Sequence, residues 1–324
     1  MKYRIGIDVG GTKTALGLFG EDGALVSRLQ CATPLDVDGP ELCELILKEI
    51  DEILKPGGLR HTDVEGVGIG LPSYILYDEG YVLMTSALEN LHDFAMRDYL
   101  AARLDIPFAL DNDSNLAALA EYRYGAGKGS RHMVYMSAST GLGSGLILNG
   151  ELFRGSYGWA GESGHMLITP DEGVACGCGN RGCFMSWGSG RYIPEQIRRL
   201  ARGRQTVMDL GPGLDCVALN EACRAGDAVA IEALDQAAHF IGVCLYNIYQ
   251  LLNVNLYVFG GGMVRFGPML FDRIREEFDR YDHIGKPVTF RFARLTQDFG
   301  IIGAAALAQD AAAGGGQAWK RPQP

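Results

Sequence analysis

Apolar and polar positions alternate along this chain with two periods, which separate predicted strands from predicted helices. Short apolar runs predict strands at residues 3–8, 15–19, 24–29, 64–71, 106–110, 133–137, 146–148, 151–154, 256–259 and 287–293. Amphipathic or small-residue segments predict helices at residues 39–54, 94–104, 116–124, 191–202, 215–225, 228–252, 268–278 and 304–313. Strands interspersed with helices over the whole length predict an α/β fold.

The beginning of this pattern occurs twice. A strand, a turn rich in Gly and Thr, a second strand, an X-Gly turn and a third strand start at Tyr3, and the same order starts again at Met133. The two turns contain Gly10-Gly11-Thr12-Lys13 and Ser139-Thr140-Gly141. Their backbone N–H groups could hold the two ends of a polyphosphate, although a tight hairpin explains the first turn equally well. That first turn is neither a P-loop nor a G-x-G-x-x-G fingerprint.

Three further stretches follow strands, and ligands of α/β folds bind at the carboxyl ends of strands. Asp8 ends the first strand, where a carboxylate could hold Mg²⁺ directly or through water. Residues 111–115, Asp-Asn-Asp-Ser-Asn, lie between a strand and a helix; one of them caps the helix, and the others indicate a site. Gly260-Gly261-Gly262 would let an adenine or a ribose lie on the backbone, although a simple turn is the alternative.

A cluster of metal-binding residue types lies in the middle of the chain. Cys176, Cys178 and Cys183 share one Gly-rich loop, and His165 lies shortly before it, beside Glu162. Three thiolates and an imidazole complete a tetrahedral zinc site and leave no position for water, so we interpret the site as structural. Ordinary reduced cysteines are the alternative, but three of the eight cysteines in one short stretch favour the metal.

Length, charge and cysteine usage narrow the class of protein. The 324 residues allow two domains, and 47% hydrophobic with 21% charged residues is typical of a globular protein. The net charge of −10 argues against broad binding to a nucleic-acid backbone. Without a run of about 18 apolar residues or a leader before the first strand, and with scattered free cysteines, we expect a cytoplasmic protein. Residues 314–324 are rich in Gly and Pro and are expected to be disordered.

Together these motifs resemble those of the ROK family (repressors, open reading frames and kinases), over the chain to about residue 313. Six matches occur in the order of the family. They are the phosphate turns Asp8-Val9-Gly10-Gly11-Thr12-Lys13 and Ser139-Thr140-Gly141-Leu142-Gly143, the catalytic pair Asn112-Asp113, the E-x-G-H signature Glu162-Ser163-Gly164-His165, the C-x-C-G-x-x-G-C zinc loop from Cys176 to Cys183, and the adenosine motif Gly260-Gly261-Gly262.

The resemblance implies the two-lobed actin-like/hexokinase (ribonuclease H-like) ATPase fold, with duplicated sheets and a cleft between the lobes. We expect a small lobe of residues 1–116 plus 299–313, and a large lobe of residues 117–298 that holds the zinc loop. The resemblance also implies an ATP-dependent sugar kinase that uses Mg²⁺ with ATP and commonly forms homodimers. Its partners are then a small-molecule sugar and ATP, with no nucleic acid and no membrane.

The same resemblance implies roles for single residues. Asp113 is expected to be the base that takes the proton of the sugar's 6-hydroxyl as the γ-phosphate of ATP is transferred. The expected sugar ligands are Asn90, Asn112, Asp113, Glu162 and His165. The expected ATP ligands are Gly10, Gly11, Thr12, Lys13, Thr140, Gly141, Gly260, Gly261 and Gly262, with Asp8 placing Mg²⁺. The expected ligands of a structural Zn²⁺ are His165, Cys176, Cys178 and Cys183.

Three positions depart from the family pattern. Met185 stands where the family has a Glu that contacts the sugar near its anomeric end, and a thioether cannot accept two strong hydrogen bonds. Ser139 replaces the usual Gly of the second phosphate turn, and Pro72-Ser73 replaces a Pro-Gly near the sugar. The departures therefore concern the sugar more than they concern ATP.

Two other functions are compatible with the sequence. A sugar-sensing transcriptional regulator of this family would carry a helix-turn-helix domain before the first phosphate turn, which here starts at Asp8, and the acidic charge also argues against it. A sugar-binding protein without kinase activity is the other alternative, and Met185 is the reason to consider it. The kinase is preferred because Asn112-Asp113, both phosphate turns and the E-x-G-H signature are present in usable form.

Overall fold

The structure is a computed structural model that describes residues 2–34 and 36–313, so the tail predicted at residues 314–324 lies outside the described residues. The strands are β1 (Tyr3–Val9), β2 (Lys13–Phe19), β3 (Leu25–Ala32), β4 (Val64–Leu71), β5 (Ser73–Leu76), β6 (Tyr81–Thr85), β7 (Phe108–Asn112), β8 (Met133–Ala138), β9 (Leu142–Leu148), β10 (Glu151–Phe153), β11 (Leu256–Gly260) and β12 (Thr289–Phe292). The helices are α1 (Gly39–Leu54), α2 (Met96–Ala101), α3 (Asp113–Tyr124), α4 (Met185–Gly188), α5 (Ile193–Leu200), α6 (Cys216–Arg224), α7 (Ala228–Leu252), α8 (Pro268–Tyr281) and α9 (Phe299–Ala312). The predicted α/β class is confirmed.

The chain divides into two compact units, each of which is described by itself. The first contains Met1–Arg131, Gly145–Gly161 and the segment that starts at Arg294, and the second contains His132–Ser144 and Glu162–Ala293. The lobe boundaries expected near residues 116 and 298 stay a prediction. Asp8 and the Asn112-Asp113 pair belong to the first unit, whereas the zinc loop belongs to the second.

The first unit is built on a five-stranded sheet in the order β3-β2-β1-β4-β7. β1 pairs antiparallel with β2 and parallel with β4, and β4 pairs parallel with β7. The register places Gly70 opposite Asp8 on one side and opposite Asp111 on the other. Because the carboxyl ends of parallel strands meet at one edge of a sheet, Asp8 and Asp111 lie along the same edge, where ligands of α/β folds bind.

Helix α9 packs on this sheet through its backbone. A Cβ at Gly6 would lie 2.0 Å from the carbonyl oxygen of Ile301, and a Cβ at Gly68 would lie 1.9 Å from that of Ala304. Glycines on two neighbouring strands therefore let the helix approach more closely than any side chain would allow. This contact explains why the helix is made largely of small residues.

Among the differences from the predicted elements, two helix starts and one missed hairpin are informative. α9 begins at Phe299 instead of residue 304, because the glycines that resemble a turn serve close packing: a Cβ at Gly303 would lie 2.1 Å from the carbonyl oxygen of Leu116. α3 begins at Asp113 instead of residue 116, because Asn112 caps it. The hydrophobic pattern does not predict the short hairpin of β5 and β6, whose pairing contains a register irregularity.

The second five-stranded sheet has the order β10-β9-β8-β11-β12, and the boundary between the units falls inside β9. β11 pairs parallel with β8 and with β12, and β10 pairs antiparallel with β9. The turn before β10 has positive φ at both Asn149 (57°) and Gly150 (85°), as a type I′ hairpin turn requires. The strand order repeats that of the first sheet, so the duplication predicted from the sequence is confirmed.

Helix α7 is the one helix among the described residues that is long and apolar enough to cross a membrane. Its apolar window is 56% buried inside the protein, and buried core helices pass the same test of length and composition. Asp227 caps the N-terminus of this helix: its carboxylate accepts hydrogen bonds of 2.9 Å from the N–H groups of Val229 and Ala230.

Candidate active site

The buried carboxylate of Asp111 organises the end of β7. One of its oxygens accepts hydrogen bonds of 2.8 Å from the backbone N–H of Asn112 and from the side chain of Asn115. The other accepts a bond of 2.8 Å from the guanidinium of Arg154. Burial disfavours the charge on Arg154, but the neighbouring Asp111 outweighs it, so the pKa of Arg154 lies above its ordinary value. Asp111 and Asn115 are therefore structural members of the polar run.

Asn112 and Asp113 form the junction between β7 and α3. The Asn112 side chain caps the helix, since its oxygen accepts a bond of 2.8 Å from the N–H of Ser114 and its nitrogen donates to the carbonyl of Ser73 at 3.1 Å. Asp113 is the first helical residue and is exposed, with its carboxylate oriented by a bond of 2.7 Å from the N–H of Ser114. Of the aspartates in the run, only Asp113 presents its carboxylate at the surface of its unit.

Asn90 and Ser73 lie in the chain between β4 and β7, two strands of the first sheet. Asn90 is exposed, and its side-chain nitrogen donates to the carbonyl of Asp36 at 2.8 Å. Ser73, which replaces the family's glycine, starts β5 and is buried. Within the described part of the chain its hydroxyl has no hydrogen-bond partner, while its carbonyl accepts from Asn112. The β5–β6 hairpin, which the sequence pattern missed, thus positions Asn112.

The first Gly/Thr turn connects β1 to β2 through the three residues Gly10, Gly11 and Thr12. The N–H of Gly10 donates to the carbonyl of Lys13 at 2.9 Å, which closes the turn. A Cβ at Gly11 would lie 3.0 Å from the Cβ of Ala87, so this position is crowded for any other residue. Thr12 and Lys13 are exposed, and the turn presents their side chains to solvent.

Asp8 lies just before this turn and lines a cavity of about 640 Å³ together with Lys13 and the start of α9. A Cβ at Gly300 would lie 2.2 Å from the Asp8 carboxylate, so the helix end leaves room for that side chain. Burial raises the pKa of Asp8, and the charge of Lys13 offsets part of this shift. A cation at the Asp8 carboxylate would favour its charged form.

The second Gly/Thr turn lies between β8 and β9. It is closed by a bond of 3.0 Å from the N–H of Ser139 to the carbonyl of Gly141, and Thr140 is exposed. The N–H groups of Gly190 and Arg191 donate to the carbonyls of Ser139 and Thr140 at 2.8 and 3.0 Å. The sequence pattern did not single out this supporting segment, since its role depends on a contact between residues distant in the chain.

The three glycines after β11 have different structural roles. A Cβ at Gly260 would lie 2.1 Å from the hydroxyl oxygen of Tyr135. Gly261 has φ +88°, and a Cβ there would lie 2.4 Å from the carbonyl oxygen of Ala138. The nearest atom to a Cβ at Gly262 would be the Ser139 hydroxyl, at 3.9 Å. Gly260 and Gly261 are thus explained by packing, and Gly262 is the glycine whose open backbone a flat ligand could cover.

The predicted metal ligands come together in the second unit. The Nδ1 of His165 lies 3.6 Å from the Sγ of Cys176, and the Sγ atoms of Cys178 and Cys183 are also 3.6 Å apart. One ligand atom from each of the four residues lies within 4.8 Å of the others. Tetrahedral zinc with bonds of about 2.3 Å to sulfur and about 2.0 Å to nitrogen requires ligand separations of about 3.5–3.8 Å. The four side chains therefore fit a zinc ion.

The thiols of this cluster differ in their acidity. Burial raises the pKa of Cys183 to about 12, and its hydrogen bond with Cys178 adds to the rise. For Cys178, hydrogen bonds from the backbone of Asn180 and from the neighbouring cysteine and histidine side chains outweigh the effect of burial and lower the pKa to about 7. Thiolates are the form that binds metal, so a thiol of this kind is suited to the role.

The E-x-G-H signature forms a short 3-10 turn over Ser163–His165, with Glu162 before it. A Cβ at Gly164 would lie 2.1 Å from the carbonyl oxygen of Leu142, so the turn packs on β9 where only glycine fits. The methyl group of Met185 lies 2.8 Å from the same Cβ position. The residue that replaces the family's glutamate is therefore in direct contact with the turn that carries Glu162 and His165.

Two duplicated sheets, each with a Gly/Thr turn after its first strand, define the class of protein: the chain has the actin-like ATPase fold. The chain belongs to the ROK family, whose family model matches residues 4–311. The resemblance stated from the motifs is thereby confirmed over nearly the whole chain.

Named relatives and solved structures agree with this family. A glucokinase from Halalkalibacterium halodurans is 30% identical over 309 residues, which cover 93% of each chain. A ROK hexokinase from Thermus thermophilus has a TM-score of 0.82 at 31% identity and covers 95% of this chain and 98% of its own. A ROK family glucokinase from Streptomyces griseus, in complex with glucose and AMPPNP, has a TM-score of 0.75 at 31% identity and covers 95% and 99%.

Proposed function

We propose that this chain is an ATP-dependent sugar kinase that transfers the γ-phosphate of ATP to the 6-hydroxyl of a hexose or hexose derivative. The observation that carries the proposal is the carboxylate of Asp113, which is exposed on the first turn of α3. Its neighbours Asp111 and Asn115 are committed to structural hydrogen bonds. The similarity to glucokinases, one of them in complex with glucose and AMPPNP, supports the same class of reaction.

Asp113 acts in this proposal as the general base for the sugar hydroxyl. A carboxylate is a weak base, but phosphoryl transfer passes through a loose transition state in which positioning and charge neutralisation contribute most. The hydrogen bond from Ser114 fixes the orientation of the Asp113 carboxylate before a sugar binds. Asn112 is held in turn by its bonds to Ser73 and Ser114, so both members of the pair are preorganised.

The proposed sugar ligands supply the groups that hydroxyls need. Asn90, Asn112, Glu162 and His165 offer amides, a carboxylate and an imidazole, and each sugar hydroxyl can both donate and accept a hydrogen bond. A sugar that lacks one of these hydroxyls would leave a polar group unpaired, which is how such sites reject analogues. Met185 offers no comparable group, so the proposed substrate is one that needs no strong acceptor there.

The proposed nucleotide ligands are the two phosphate turns and the glycines after β11. Thr12, Lys13 and Thr140 present exposed side chains on turns whose glycines allow close approach, namely Gly10, Gly11 and Gly141. Gly262, supported by Gly260 and Gly261, would lie against the adenosine. Asp8 would help to place Mg²⁺, whose charge neutralises the phosphates during transfer. The cavity beside Asp8 supports this assignment.

The proposed zinc ion is structural, and its ligands are His165, Cys176, Cys178 and Cys183. Four protein ligands complete the coordination of zinc, so the ion would stabilise the loop instead of binding water. The Nδ1 of His165 faces Cys176, which leaves Nε2 as the nitrogen that can reach a sugar hydroxyl. A metal on one nitrogen fixes the tautomer and the orientation of the other. Glu162 is held by the same turn.

The cellular setting belongs to the same proposal. We propose a cytoplasmic enzyme, because ATP and reduced cysteines belong to that compartment. The partners are a small-molecule sugar and ATP, and the net charge of −10 disfavours nucleic acid. A homodimer is the expected assembly, which light scattering of the purified protein would measure directly.

The release of ADP by the purified protein tests the proposal. It is measured with a panel of hexoses, N-acetylhexosamines and rarer epimers. We expect turnover with at least one sugar and a loss of about a hundredfold or more in Asp113→Ala, because the base and one sugar ligand are removed. Asp98→Ala is the matched control, since it removes an exposed acid from the first turn of α2 in the same unit. No sugar-stimulated turnover in zinc-loaded protein would contradict the kinase and favour a sugar-binding protein.

A further inference from the structure

Three aromatic side chains contact one another in the first unit, and two of them, Tyr157 and Trp159, lie just before the E-x-G-H signature in the chain. Tyr157 stacks on Trp159 with ring centroids 5.3 Å apart and an interplanar angle of 21°. Trp159 meets Tyr74 edge-on, with centroids 6.1 Å apart. Tyr157 is 64% exposed. We refer to Tyr74, Tyr157 and Trp159 as the aromatic platform, and no role in the kinase reaction is so far assigned to it.

The backbone under the platform is fixed against β5. The N–H of Tyr77 donates to the carbonyl of Tyr157 at 3.3 Å. Gly158 has φ +109°, and a Cβ there would lie 2.4 Å from the carbonyl oxygen of Ile75, so only glycine allows this approach. The N–H of Ala160 donates to the carbonyl of Arg154 at 3.0 Å and closes the loop. The backbone that carries Tyr157 and Trp159 is thus held in place, which lowers the entropy cost of ordering this loop when a ligand binds.

The same loop is joined to the proposed catalytic pair. Arg154 donates to the Asp111 carboxylate at 2.8 Å, and its guanidinium lies 4.0 Å from the centroid of the Tyr77 ring. At the other end of β5, the carbonyl of Ser73 accepts from the side chain of Asn112. The platform and the Asn112-Asp113 junction therefore rest on one hydrogen-bonded framework within the first unit. Trp159 is also followed closely in the chain by Glu162.

The chemistry of the platform suits the apolar face of a sugar ring. Aromatic faces carry partial negative charge and attract polarised C–H groups, which line one face of a pyranose. A phosphate or another anion would find no cation on these three side chains. A stable protein interface buries about 800 Å² on each partner, which is far more than one exposed tyrosine and two half-buried rings can supply. A small ring compound is the ligand of matching size.

We propose that the aromatic platform is a subsite for a second pyranose ring, joined by a glycosidic bond to the hexose that receives the phosphate. The preferred acceptor is then a disaccharide or another glycoside, and the free monosaccharide is the poorer substrate. This inference rests on the proposed function, since it names the substrate class of the same enzyme. It agrees with Met185, which offers no strong acceptor to a free anomeric hydroxyl.

Acceptor kinetics test the subsite. The ratio of kcat/KM for maltose or cellobiose to kcat/KM for glucose is compared between the wild-type protein and Tyr157→Ala, Trp159→Ala and Tyr157→Phe. We expect the better of the two disaccharides to exceed glucose in the wild type and the ratio to fall about tenfold in each alanine variant, because stacking is lost. Tyr157→Phe should keep the ratio, because it keeps the ring. Tyr124→Ala, which removes an exposed tyrosine at the end of α3, is the matched control.

Calorimetric titration of the same proteins with the same sugars separates this inference from the proposed function. If no sugar is phosphorylated, the proposed function fails, but disaccharide affinity that exceeds glucose affinity and falls in Tyr157→Ala would still support the subsite. An unchanged ratio of kcat/KM and unchanged affinities in both alanine variants would overturn it. A change in molecular mass by light scattering in Tyr157→Ala, with sugar binding unaltered, would also overturn it and assign the platform to a protein contact.

Discussion

Met185 places a thioether beside the turn that carries Glu162 and His165, with its methyl group against Gly164. A glutamate at this position would add an acceptor for sugar hydroxyls next to two proposed sugar ligands. We expect Met185→Glu to raise kcat/KM for glucose by about tenfold, which is the worth of one hydrogen bond to a charged group. The measurement is sugar-dependent release of ADP.

The control for this variant is Met269→Glu, which introduces the same charge at another half-buried methionine near the start of a helix in the same unit. It should leave kcat/KM for glucose unchanged. A Met185→Glu protein that folds, binds zinc and still shows the glucose activity of the wild type would show that this side chain does not face the sugar.

The clearest dependence of the protein's stability on pH is expected from Asp8. Burial raises the pKa of Asp8 in the folded protein. The folded protein therefore binds a proton at this carboxylate more tightly than the unfolded chain does. The stability of the wild type therefore falls as the pH rises through the interval between the unfolded and folded pKa values, and stays lower above it. Without nucleotide we expect Asp8→Asn to raise Tm at pH 7, and this gain to shrink as the pH falls towards about 4.

Thermal unfolding across this pH range, with Asp272→Asn as the control for an exposed aspartate, measures the effect. The same Asp8→Asn protein should show a higher KM for ATP if Asp8 places Mg²⁺. A variant with a lower Tm than the wild type at pH 7 would contradict the explanation that burial disfavours the charge of this carboxylate.

At the scale of elements, the zinc loop joins four side chains that lie in different local structures. We expect the wild-type protein to contain about one zinc per chain and Cys178→Ser to contain almost none, because three ligands with an exposed fourth position bind zinc far more weakly. The measurement is elemental analysis after dialysis against a mild chelator. Sugar affinity should fall with the zinc, because His165 loses its orientation.

Cys31→Ser serves as the control, since this half-buried cysteine lies on β3, outside the cluster, and should leave the zinc content unchanged. Equal zinc in both variants would show that the cluster does not hold the metal. Zinc lost without any change in sugar affinity would keep the structural site but separate it from the sugar.

Elements that carry their own local signals are the ones that the sequence predicts best. α1 has a capping box between Asp38 and Glu41 and a proline at its start, and its bounds agree with the prediction. β4, a parallel strand buried along nearly its whole length, also agrees. The start of α9 was predicted wrongly, because the glycines in its first turns are explained by contacts with Asp8 and Leu116, which no local pattern contains.

Sequence-based prediction of the candidate site has the same limit, since it misses contacts between residues that are distant in the chain. The sequence predicts the polar run after β7, but only the structure separates Asp111 and Asn115, which hold the framework, from the exposed Asp113. It predicts the Gly/Thr turns, but not the support of the second turn by Gly190 and Arg191. Such roles follow from hydrogen bonds between residues far apart in the chain, which leave no periodic signal.

At the scale of the whole molecule, the duplication is the feature that connects sequence, fold and chemistry. In each sheet the first two strands of the order pair antiparallel and the last three pair parallel, in the same order. The repeat was visible in the sequence because each copy keeps its Gly/Thr turn between two strands. The family match over residues 4–311 confirms that the duplication belongs to one protein fold.

The most direct measurement of the central claim is the identity of the product. The purified, zinc-loaded protein is incubated with Mg²⁺, ATP and the best acceptor of the sugar panel, and the product is examined by two-dimensional ¹H–³¹P NMR. The account predicts a phosphate coupled to the two protons on carbon 6 of a hexose, formed in equal amount with ADP. A phosphate on another hydroxyl would contradict the assignment of the 6-hydroxyl, and release of free phosphate without any sugar phosphate would contradict the kinase itself.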